Sequence, residues 1–482
     1  MGRLAKNYLY TVSYQLLVLL APIVTAPYLA RVLGADELGI YGYVYSSGKV
    51  ITTLSLLGIY AYGTRQIAYV RDASETLTRT FWELARVRLI LGSAGTLVYA
   101  AYAALNPAYR LFFLIYYPYI LAEFLDCSWV FVGVEDMAPA VLKNFVTKLL
   151  NVIGIFLFVR RRGDVWIYLM LLAVTTLLAN LSIYTQLHRY VGRPKARSHM
   201  TLRHIRGSLE LFLPQVASVF YLQMDKVMLQ WLTGTTRQVS FYDQAEKIVM
   251  IPLSFITVIS SVMMPRIANE FKKDNAQAIT ALLNKAGRFA LMLACPMMVG
   301  LFVVARQFVP WYLGEEFLSV GSLIMILVPI VVLNSLAGIS GQQYFTATNQ
   351  TRILLRAYVS AAMLNIGCNA LLIPRLGAYG AAAATVLSSL VSVLIQYRYL
   401  SAQIPVRGFL RYGGIYGVPA LVMGLAVYFT TRAMPARIVT TLVQILIGCA
   451  VYFVLLLLRR DTLLRELWEM VRRKRGDTHA QE

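Results

Sequence analysis

Histidine and cysteine are scarce in this sequence, with four of each among 482 residues. None of the histidines has a nucleophile or a metal-ligating residue at a suitable spacing, and the phosphate-binding pattern GxxxxGK[ST] does not occur. The cysteines all fall within apolar stretches and share no metal-ligand spacing. These absences exclude a recognisable catalytic centre and ATP hydrolysis by a P-loop. We expect a protein that is not an enzyme and that carries no metal or other bound cofactor.

Charge is also sparse, at 14% of residues, whereas hydrophobic residues make up 58%. The apolar residues gather into stretches of about 20, the length of helix that crosses a bilayer, and a helix satisfies its own backbone in lipid. The sequence predicts an all-α polytopic membrane protein with about 14 transmembrane helices. The first stretch continues directly into PYLARVLGADELG, which favours a retained span over a cleaved signal peptide. The expected spans are 9–31, 38–61, 82–104, 110–133, 139–159, 165–187, 209–232, 239–264, 283–306, 318–346, 353–374, 377–400, 413–431 and 437–458.

Acidic residues are outnumbered 23 to 45 by lysine and arginine, and the formal net charge is +22. Such an excess can indicate nucleic-acid binding, but the basic residues here lie mostly between spans, as the positive-inside rule requires. With a cytoplasmic N-terminus, about 30 of the 45 lysines and arginines face the cytoplasm and about 10 face outward. We expect both termini in the cytoplasm and no nucleic-acid partner. The run VRRRGD at 159–164 is a local exception that the rule leaves unexplained.

An internal repeat relates the two halves of the chain. Each half holds six spans, so both enter the membrane in the same direction and form six-helix bundles related by a pseudo-twofold parallel repeat. The predicted parts are an N-terminal lobe (1–190), a basic linker (191–206), a C-terminal lobe (207–402), two extra transmembrane helices (403–458) and a basic amphipathic cytoplasmic tail (459–482). The repeat matches Gln15 and Gly34 with Gln215 and Gly234, 200 residues later, and Asn151 and Gly163 with Asn365 and Gly377, 214 residues later.

Charged residues lie within several of the expected spans, and the second, seventh and eighth spans carry lysines. A charge at mid-bilayer costs on the order of 2.5–3.5 kcal/mol, so it marks a candidate functional residue unless its side chain reaches the interface. Lys49 and Lys247 lie roughly 13–17 Å inside their spans, too deep to reach it, whereas Lys226 lies nearer the outer surface. The other charges in the seventh and eighth spans are Asp225, Asp243 and Glu246.

These charges allow two interpretations, which are compatible. In the first, the three carboxylates neutralise Lys226 and Lys247 and hold spans seven and eight together. In the second, the lysines line a hydrated cavity and meet an anionic substrate, while the carboxylates hold them ready or bind a coupling cation. We also count Gln215 and Tyr45 as candidates for contact with the substrate.

The fourth span carries a stripe of polar and aromatic residues that includes Glu123 and Asp126. Spacings of three and four place the stripe on one helix face, which would be costly if it faced lipid. It either lines the same cavity or packs against the fifth span, where Lys148 is a possible partner for Glu123 and Asp126. We treat all three residues as candidates for ion coupling or charge pairing.

Three segments carry a specific resemblance: LDCSWVFVGVEDM, LPQVASVFYLQMDKVMLQWL and SFYDQAEKIVMIPLSFITVISSVMMPRIA. With the N-terminal stretch, they resemble the polysaccharide-transporter, or Wzx-type, flippases of the multidrug/oligosaccharidyl-lipid/polysaccharide (MOP) exporter superfamily. The resemblance implies a V-shaped pair of bundles plus two helices, alternating between inward-open and outward-open states in the bacterial cytoplasmic membrane. The implied cargo is an undecaprenyl-diphosphate-linked oligosaccharide, a repeat unit of surface polysaccharide or teichoic acid.

The resemblance also implies roles for particular residues. Lys49, Lys226 and Lys247 match positions where relatives place basic residues for the diphosphate. The family pattern WFFQG reads WVFVG at 129–133, which puts the specificity known for relatives in doubt. Expected partners are membrane lipids, a polysaccharide polymerase and glycosyltransferases, with H⁺ or Na⁺ as the coupling ion.

Two other functions remain open at this point. A cation-coupled multidrug antiporter of the same superfamily commonly carries an acid in its first span, but no charged residue lies between Lys6 and Arg31. The other is a non-transporting scaffold of a polysaccharide-assembly complex, which a retained partner interaction without transport would favour.

Overall fold

The structure, a computed structural model, describes residues 3–193 and 202–465, and no β-strand occurs in these ranges. The all-α class expected from the apolar runs is therefore confirmed. In the first half of the chain the helices are α1 (Arg3–Leu56), α2 (Ile59–Val70), α3 (Ser74–Leu105), α4 (Arg110–Leu125), α5 (Ser128–Gly133), α6 (Ala138–Phe158), α7 (Val165–Ser182), α8 (Tyr184–Leu187) and α9 (Leu202–Thr233).

The second half is equally helical. It also contains a 3₁₀ turn at Glu315–Phe317 and a π-helical stretch at Ile339–Phe345. Its α-helices are α10 (Thr236–Lys272), α11 (Ala276–Tyr312), α12 (Leu318–Leu327), α13 (Ile330–Gly338), α14 (Thr351–Leu376), α15 (Ala378–Ser401), α16 (Arg407–Thr431) and α17 (Ile438–Leu458).

Residue contacts group the chain into two compact units. The first unit comprises Met1–Asp243 and Ile366–Ala381, and the second unit comprises Gln244–Asn365 and Ala382–Glu482. In the first unit, an aromatic core that includes Tyr43, Tyr99, Phe113 and Tyr116 joins α1, α3 and α4. In the second unit, buried side chains of α11, α16 and α17 form a separate core.

Nine helices in the described part of the chain are long and apolar enough to cross a membrane. A tenth span results if the pair Glu315–Leu327 and Ile330–Phe345, bent by 46°, is counted as one. These ten coincide with ten of the expected spans. The other four, at 9–31, 38–61, 209–232 and 239–264, lie on the helices α1, α9 and α10. The chain is thus a multi-pass membrane protein, and fourteen spans are consistent with its helices.

The glycines that the repeat pairs with each other share an unusual backbone conformation. Gly34 and its match Gly234 have φ values of 75° and 69°, and Gly163 and Gly377 have values of 98° and 56°. Positive φ strains residues with a Cβ, so glycine is the default where a chain turns in this way. At Gly34 the turn divides α1 into two helical halves. The repeat read from the sequence therefore marks equivalent turns between successive helices.

Residues that the repeat relates also lie together near the first of these turns. Asp36 and Thr236 occupy matching positions, and the Thr236 hydroxyl donates to the Asp36 carbonyl at 3.0 Å. Arg237 lies 3.6 Å from the Asp36 carboxylate. A Cβ at Gly39 would lie only 1.8 Å from the Thr236 carbonyl oxygen. The start of α10 thus packs directly on the backbone of α1.

We expect Gly39→Ala to destabilise the protein, because the added methyl group overlaps backbone that cannot move aside. Overpacking of this kind costs typically about 1–3 kcal/mol. The measurement is the thermal unfolding midpoint in detergent, with Gly367→Ala as the control. A Cβ at Gly367 meets nothing within 4 Å, so that variant should be neutral or slightly stabilised. Equal tolerance of both substitutions would contradict the close contact.

Candidate functional site

The fourth expected span is discontinuous. The helix α4 ends at Leu125, and α5 begins at Ser128 within the same apolar stretch, Arg110–Gly133. A helix end leaves four carbonyls without intrahelical partners, and in lipid each of them would be expensive. Here every one accepts a side-chain hydrogen bond. The bonds are Asn180 Nδ2 to Ala122 O (2.7 Å), Arg88 Nη2 to Glu123 O (2.5 Å), Arg88 Nε to Phe124 O (2.8 Å) and Tyr184 Oη to Leu125 O (2.7 Å).

Asp126, in the break between α4 and α5, is held by a buried lysine. Lys143 Nζ donates to Asp126 Oδ1 at 3.0 Å, to Ser128 Oγ at 2.7 Å and to Asn180 Oδ1 at 2.7 Å. An ammonium group has three donors, so these bonds use all of them. The Lys143 side chain is only 7% exposed. This pair is therefore part of the structure that closes the break.

Glu123, one turn earlier, pairs with a lysine that is more accessible. Lys49 Nζ lies 3.1 Å from Glu123 Oε2, and the two side chains are 30% and 25% exposed. Nearby, Tyr45 meets the ring of Tyr119 edge-on at 6.2 Å, and Tyr119 stacks on Tyr116 at 4.7 Å. A charge pair with this much exposure can exchange one partner for an ion from outside the protein.

We define the break cluster as Lys49, Arg88, Glu123, Asp126 and Lys143. Three cations and two carboxylates leave it with one net positive charge. The helix carbonyls, which could otherwise ligate a cation, are already occupied. The arrangement therefore favours an added anion over an added cation.

Lys148 was the expected partner of Glu123 and Asp126, but two other lysines bond to these carboxylates. Glu123 bonds to Lys49 and Asp126 bonds to Lys143. Lys148 lies further along α6 and is half-buried. The expected partner belongs to the next span along the chain, whereas α4 also packs on α1.

Arg88 and Lys143 were missed, although a signal for each exists. Arg88 is an ionisable residue well inside an apolar span, which by itself marks a buried, partnered group. Lys143 precedes Thr147 and Asn151 at intervals of four, so it extends the polar stripe of α6 toward the start of the helix.

Between α9 and α10 the predicted ion pair forms, with a particular choice of partners. Lys226 Nζ lies 3.1 Å from Asp243 Oδ1, and each side chain is 7% exposed. The expectation that Lys226 could extend to the outer interface is wrong, because protein surrounds the ammonium group. This contact links α9 to α10, as the first of the two interpretations expects.

The Asp225 carboxylate bonds to residues on two other helices. Its carboxylate accepts from the Tyr242 hydroxyl at 2.7 Å and from Asn369 Nδ2. The side chain is completely buried. Asp225 thereby links α9 to α10 and to the part of α14 that lies in the first unit.

The remaining candidates lie in different surroundings. Glu246 is buried, whereas Lys247, the next residue of α10, is exposed. Gln215 and Tyr45 are half-buried, on α9 and α1. Among the three lysines singled out from the sequence, Lys49 and Lys247 are accessible and Lys226 is not.

The basic run at 159–164 has a local explanation in the fold. The Asp164 carboxylate accepts hydrogen bonds from the backbone N–H groups of Arg160 and Arg161 at 3.0 and 3.1 Å. Arg161 Nε also lies 3.6 Å from it. The N–H of Arg160, above all, lowers the pKa of Asp164 below its usual value. The loop before α7 thus folds around one carboxylate.

This lowered pKa predicts a pH dependence of stability. A carboxylate whose folded pKa is depressed stabilises the fold above its unfolded pKa, about 3.9, and the contribution is lost as pH falls through the folded value. We expect Asp164→Asn to lower the unfolding midpoint at pH 7 and to weaken its fall below pH 4. Asp72→Asn is the control, because that side chain is 97% exposed. Identical pH profiles for wild type and Asp164→Asn would contradict the assignment.

Two family models match long segments of the chain. The family described as "Polysaccharide biosynthesis protein" matches residues 4–271, more than half of the sequence, and the family described as "Lipid II flippase MurJ" matches residues 146–448. A protein of Escherichia coli (strain K12) named for O-antigen transport is 22% identical over 374 residues, which cover 75% of this chain and 88% of that protein. A protein of Haloferax volcanii named as the low-salt glycan biosynthesis flippase Agl15 is 26% identical over 260 residues, which cover 53% of this chain and 55% of that protein.

Solved structures show the same fold. An inward closed conformation of the lipid II flippase MurJ matches with a TM-score of 0.72 at 18% identity, covering 94% of this chain and 98% of the other. An inward-facing multidrug resistance MATE transporter of the MOP superfamily matches with a TM-score of 0.61 at 16% identity, covering 83% and 95%. The chain therefore belongs to the polysaccharide biosynthesis protein family, which confirms the resemblance to polysaccharide-transporter flippases, and the families and relatives that it matches are transporters and flippases rather than enzymes.

Proposed function

We propose that the chain is a flippase for lipid-linked oligosaccharides, moving an undecaprenyl-diphosphate-linked repeat unit from the inner to the outer leaflet by alternating access. The relatives named for O-antigen transport and for glycan biosynthesis support the cargo class. The distribution of basic residues supports a cytoplasmic location of both termini, and we place the protein in the bacterial cytoplasmic membrane as part of this proposal. A polymerase and glycosyltransferases are the expected partners.

The observation that carries the proposal is the accessible Lys49–Glu123 pair in a cluster with surplus positive charge. A diphosphate brings dense negative charge, and a lysine in low-dielectric surroundings attracts it far more strongly than in water. In the empty protein Glu123 neutralises Lys49. When the cargo binds, its diphosphate displaces Glu123 from this lysine. Lys247, exposed on α10 in the second unit, is a further candidate for contact with the cargo. Gln215 and Tyr45 are assigned to the remainder of the cargo.

Translocation of the cargo by purified protein tests this function. Liposomes with and without the protein receive a fluorescent undecaprenyl-diphosphate oligosaccharide, and a membrane-impermeant quencher reports its leaflet. Protein-dependent exchange between the leaflets is the expected result. A protein that moves a cationic dye but not the oligosaccharide lipid would instead be a multidrug antiporter.

The coupling ion is assigned to the buried carboxylate Asp225. Its bonds to Tyr242 and Asn369 place one acidic group where three helix segments meet, so a change in its charge reaches all three. A proton or Na⁺ at this carboxylate would alter how α9, α10 and α14 hold together. Asp243 is less suited because it is paired with Lys226, and Glu123 and Asp126 are less suited because they belong to the break cluster, which favours anions. Glu246, buried on α10, is the second candidate for the coupling ion.

We expect Asp225→Asn to retain downhill translocation and to lose its response to an imposed ion gradient, because asparagine carries no titratable or anionic charge. The measurement is the leaflet assay with and without a proton or Na⁺ gradient. Lys226→Met/Asp243→Asn, which removes the neighbouring pair, is the control and should keep the response. Gradient stimulation that survives in Asp225→Asn would remove Asp225 from the coupling step.

A further inference from the structure

Arg88 has a hydrogen-bonding capacity that the fold leaves unused. Its side chain is 6% exposed and lies within an apolar span. Two of its nitrogens, Nε and Nη2, bond to the last carbonyls of α4. The third, Nη1, is buried and has no hydrogen-bond partner in the described part of the chain. An unsatisfied buried donor on a charged group is expensive, so this one calls for an explanation.

The residue that Arg88 holds is the partner of Lys49. Arg88 Nη2 donates to the main-chain oxygen of Glu123, whose carboxylate bonds to Lys49 Nζ at 3.1 Å. If Lys49 turns to an anionic headgroup, the Glu123 carboxylate, 25% exposed, loses its lysine. A carboxylate left without a cation in such surroundings is strongly unfavourable. Binding of the headgroup is therefore favoured when another cation receives Glu123.

We propose that Arg88 Nη1 receives the Glu123 carboxylate when Lys49 binds the phosphate group of the cargo. Arg88 is then a positioning residue that acts through Glu123, and the inference rests on the proposed function. Each charge keeps a partner before and after the exchange: Glu123 moves from Lys49 to Arg88, and Lys49 moves from Glu123 to the phosphate. The net positive charge of the break cluster is what the phosphate neutralises.

Of the cations in the break cluster, Arg88 is the one that can receive the Glu123 carboxylate once Lys49 has left it. Lys143 has all three donors engaged by Asp126, Ser128 and Asn180, so it cannot serve Glu123. Asp126 is occupied by Lys143 and Ser128 and does not need Arg88. A guanidinium fork can cap two carbonyls and still present a further N–H pair, whereas a lysine in its place cannot.

A double-mutant cycle tests the exchange in the full-length protein. The probe is undecaprenyl diphosphate without sugar, and the readout is its dissociation constant for wild type, Arg88→Lys, Glu123→Gln and the double variant. We expect Arg88→Lys to weaken binding about tenfold, the effect of one lost charge-assisted bond. In the Glu123→Gln background, where no charge has to be transferred, it should weaken binding less than twofold. The same loss in both backgrounds would make Arg88 purely structural and overturn the proposal.

Tyr184→Phe is the matched control for helix capping. It removes the donor to the Leu125 carbonyl, next to those held by Arg88, and leaves Glu123 untouched. It should lower the unfolding midpoint without changing the affinity for undecaprenyl diphosphate. An affinity loss in Tyr184→Phe equal to that in Arg88→Lys would show that capping alone explains the effect.

A second measurement decides the proposal without cargo and without an altered arginine. In Lys49→Met the Glu123 carboxylate has lost its lysine, and an experimental structure of this variant shows which group it contacts instead. We expect its carboxylate within hydrogen-bond distance of Arg88 Nη1, and a carboxylate turned elsewhere would overturn the exchange. If wild type fails to bind undecaprenyl diphosphate, the proposed function fails, and the Lys49→Met structure still tests the affinity of Glu123 for Arg88.

Discussion

Lys226→Met is expected to destabilise the protein by about 3–5 kcal/mol, the cost of leaving one charge of a buried ion pair without its counter-charge. Lys226 and Asp243 lie 3.1 Å apart with 7% of each side chain exposed, so water cannot replace the lost ammonium group. The measurement is unfolding in detergent, induced by denaturant or by heating. The effect should appear as low expression and a lowered midpoint, whatever the cargo.

Removing both charges should recover most of this loss. Replacing both partners of a buried ion pair by uncharged groups is often neutral, because neither desolvated charge remains. We therefore expect Lys226→Met/Asp243→Asn to be clearly more stable than Lys226→Met alone. Lys247→Met is a control from the same pair of helices, because the side chain is exposed and its loss should change stability by less than about 0.5 kcal/mol. A single variant as stable as wild type would contradict a structural role for Lys226.

Lys49→Ala should have the reverse effect, with little change in stability and a loss of translocation. Its side chain is 30% exposed, and the proposed exchange gives Glu123 a second cation, so the fold tolerates its absence. A charge-assisted hydrogen bond to the diphosphate contributes about 1.5–3 kcal/mol, so affinity for the headgroup should fall roughly 10- to 100-fold. The measurement is binding of undecaprenyl diphosphate alongside the unfolding midpoint.

Lys49→Arg separates charge from geometry at this position. It keeps the positive charge near Glu123 and the phosphate, so it should retain more affinity than Lys49→Ala. Lys143→Met offers a contrast within the break cluster, because Lys143 bonds only protein groups and should affect stability first. Wild-type affinity in Lys49→Ala would remove this lysine from the headgroup site.

The turns of the fold could be predicted from the sequence because a local rule controls them. Gly34 and Gly234 match in the repeat, and both have positive φ, a conformation that glycine adopts without the strain that a Cβ causes. The spans were predictable for the same kind of reason, since about 20 apolar residues suffice to cross the bilayer. Neither prediction depends on which helices become neighbours.

The partners of the charged residues could not be predicted, because they depend on that choice of neighbours. Along the sequence Lys247 lies deeper in its span than Lys226, yet Lys226 is buried against Asp243 and Lys247 is exposed. Glu123 pairs with a lysine 74 residues earlier, on α1, and not with one on the adjoining span. Arg88 could have been recognised as a charge within an apolar span. Its hydrogen bonds to the end of α4 could be predicted only if the position of that helix end were known.

Leaflet accessibility of an undecaprenyl-diphosphate oligosaccharide in proteoliposomes, compared between wild type and Lys49→Ala/Lys247→Ala, shows whether the protein translocates this cargo and whether the two lysines are needed. Both altered lysines are accessible, so the double variant should fold and insert as wild type does. We expect protein-dependent translocation by wild type and its loss in the double variant. Translocation at the wild-type rate by a correctly folded double variant would contradict the claim that these lysines bind the headgroup.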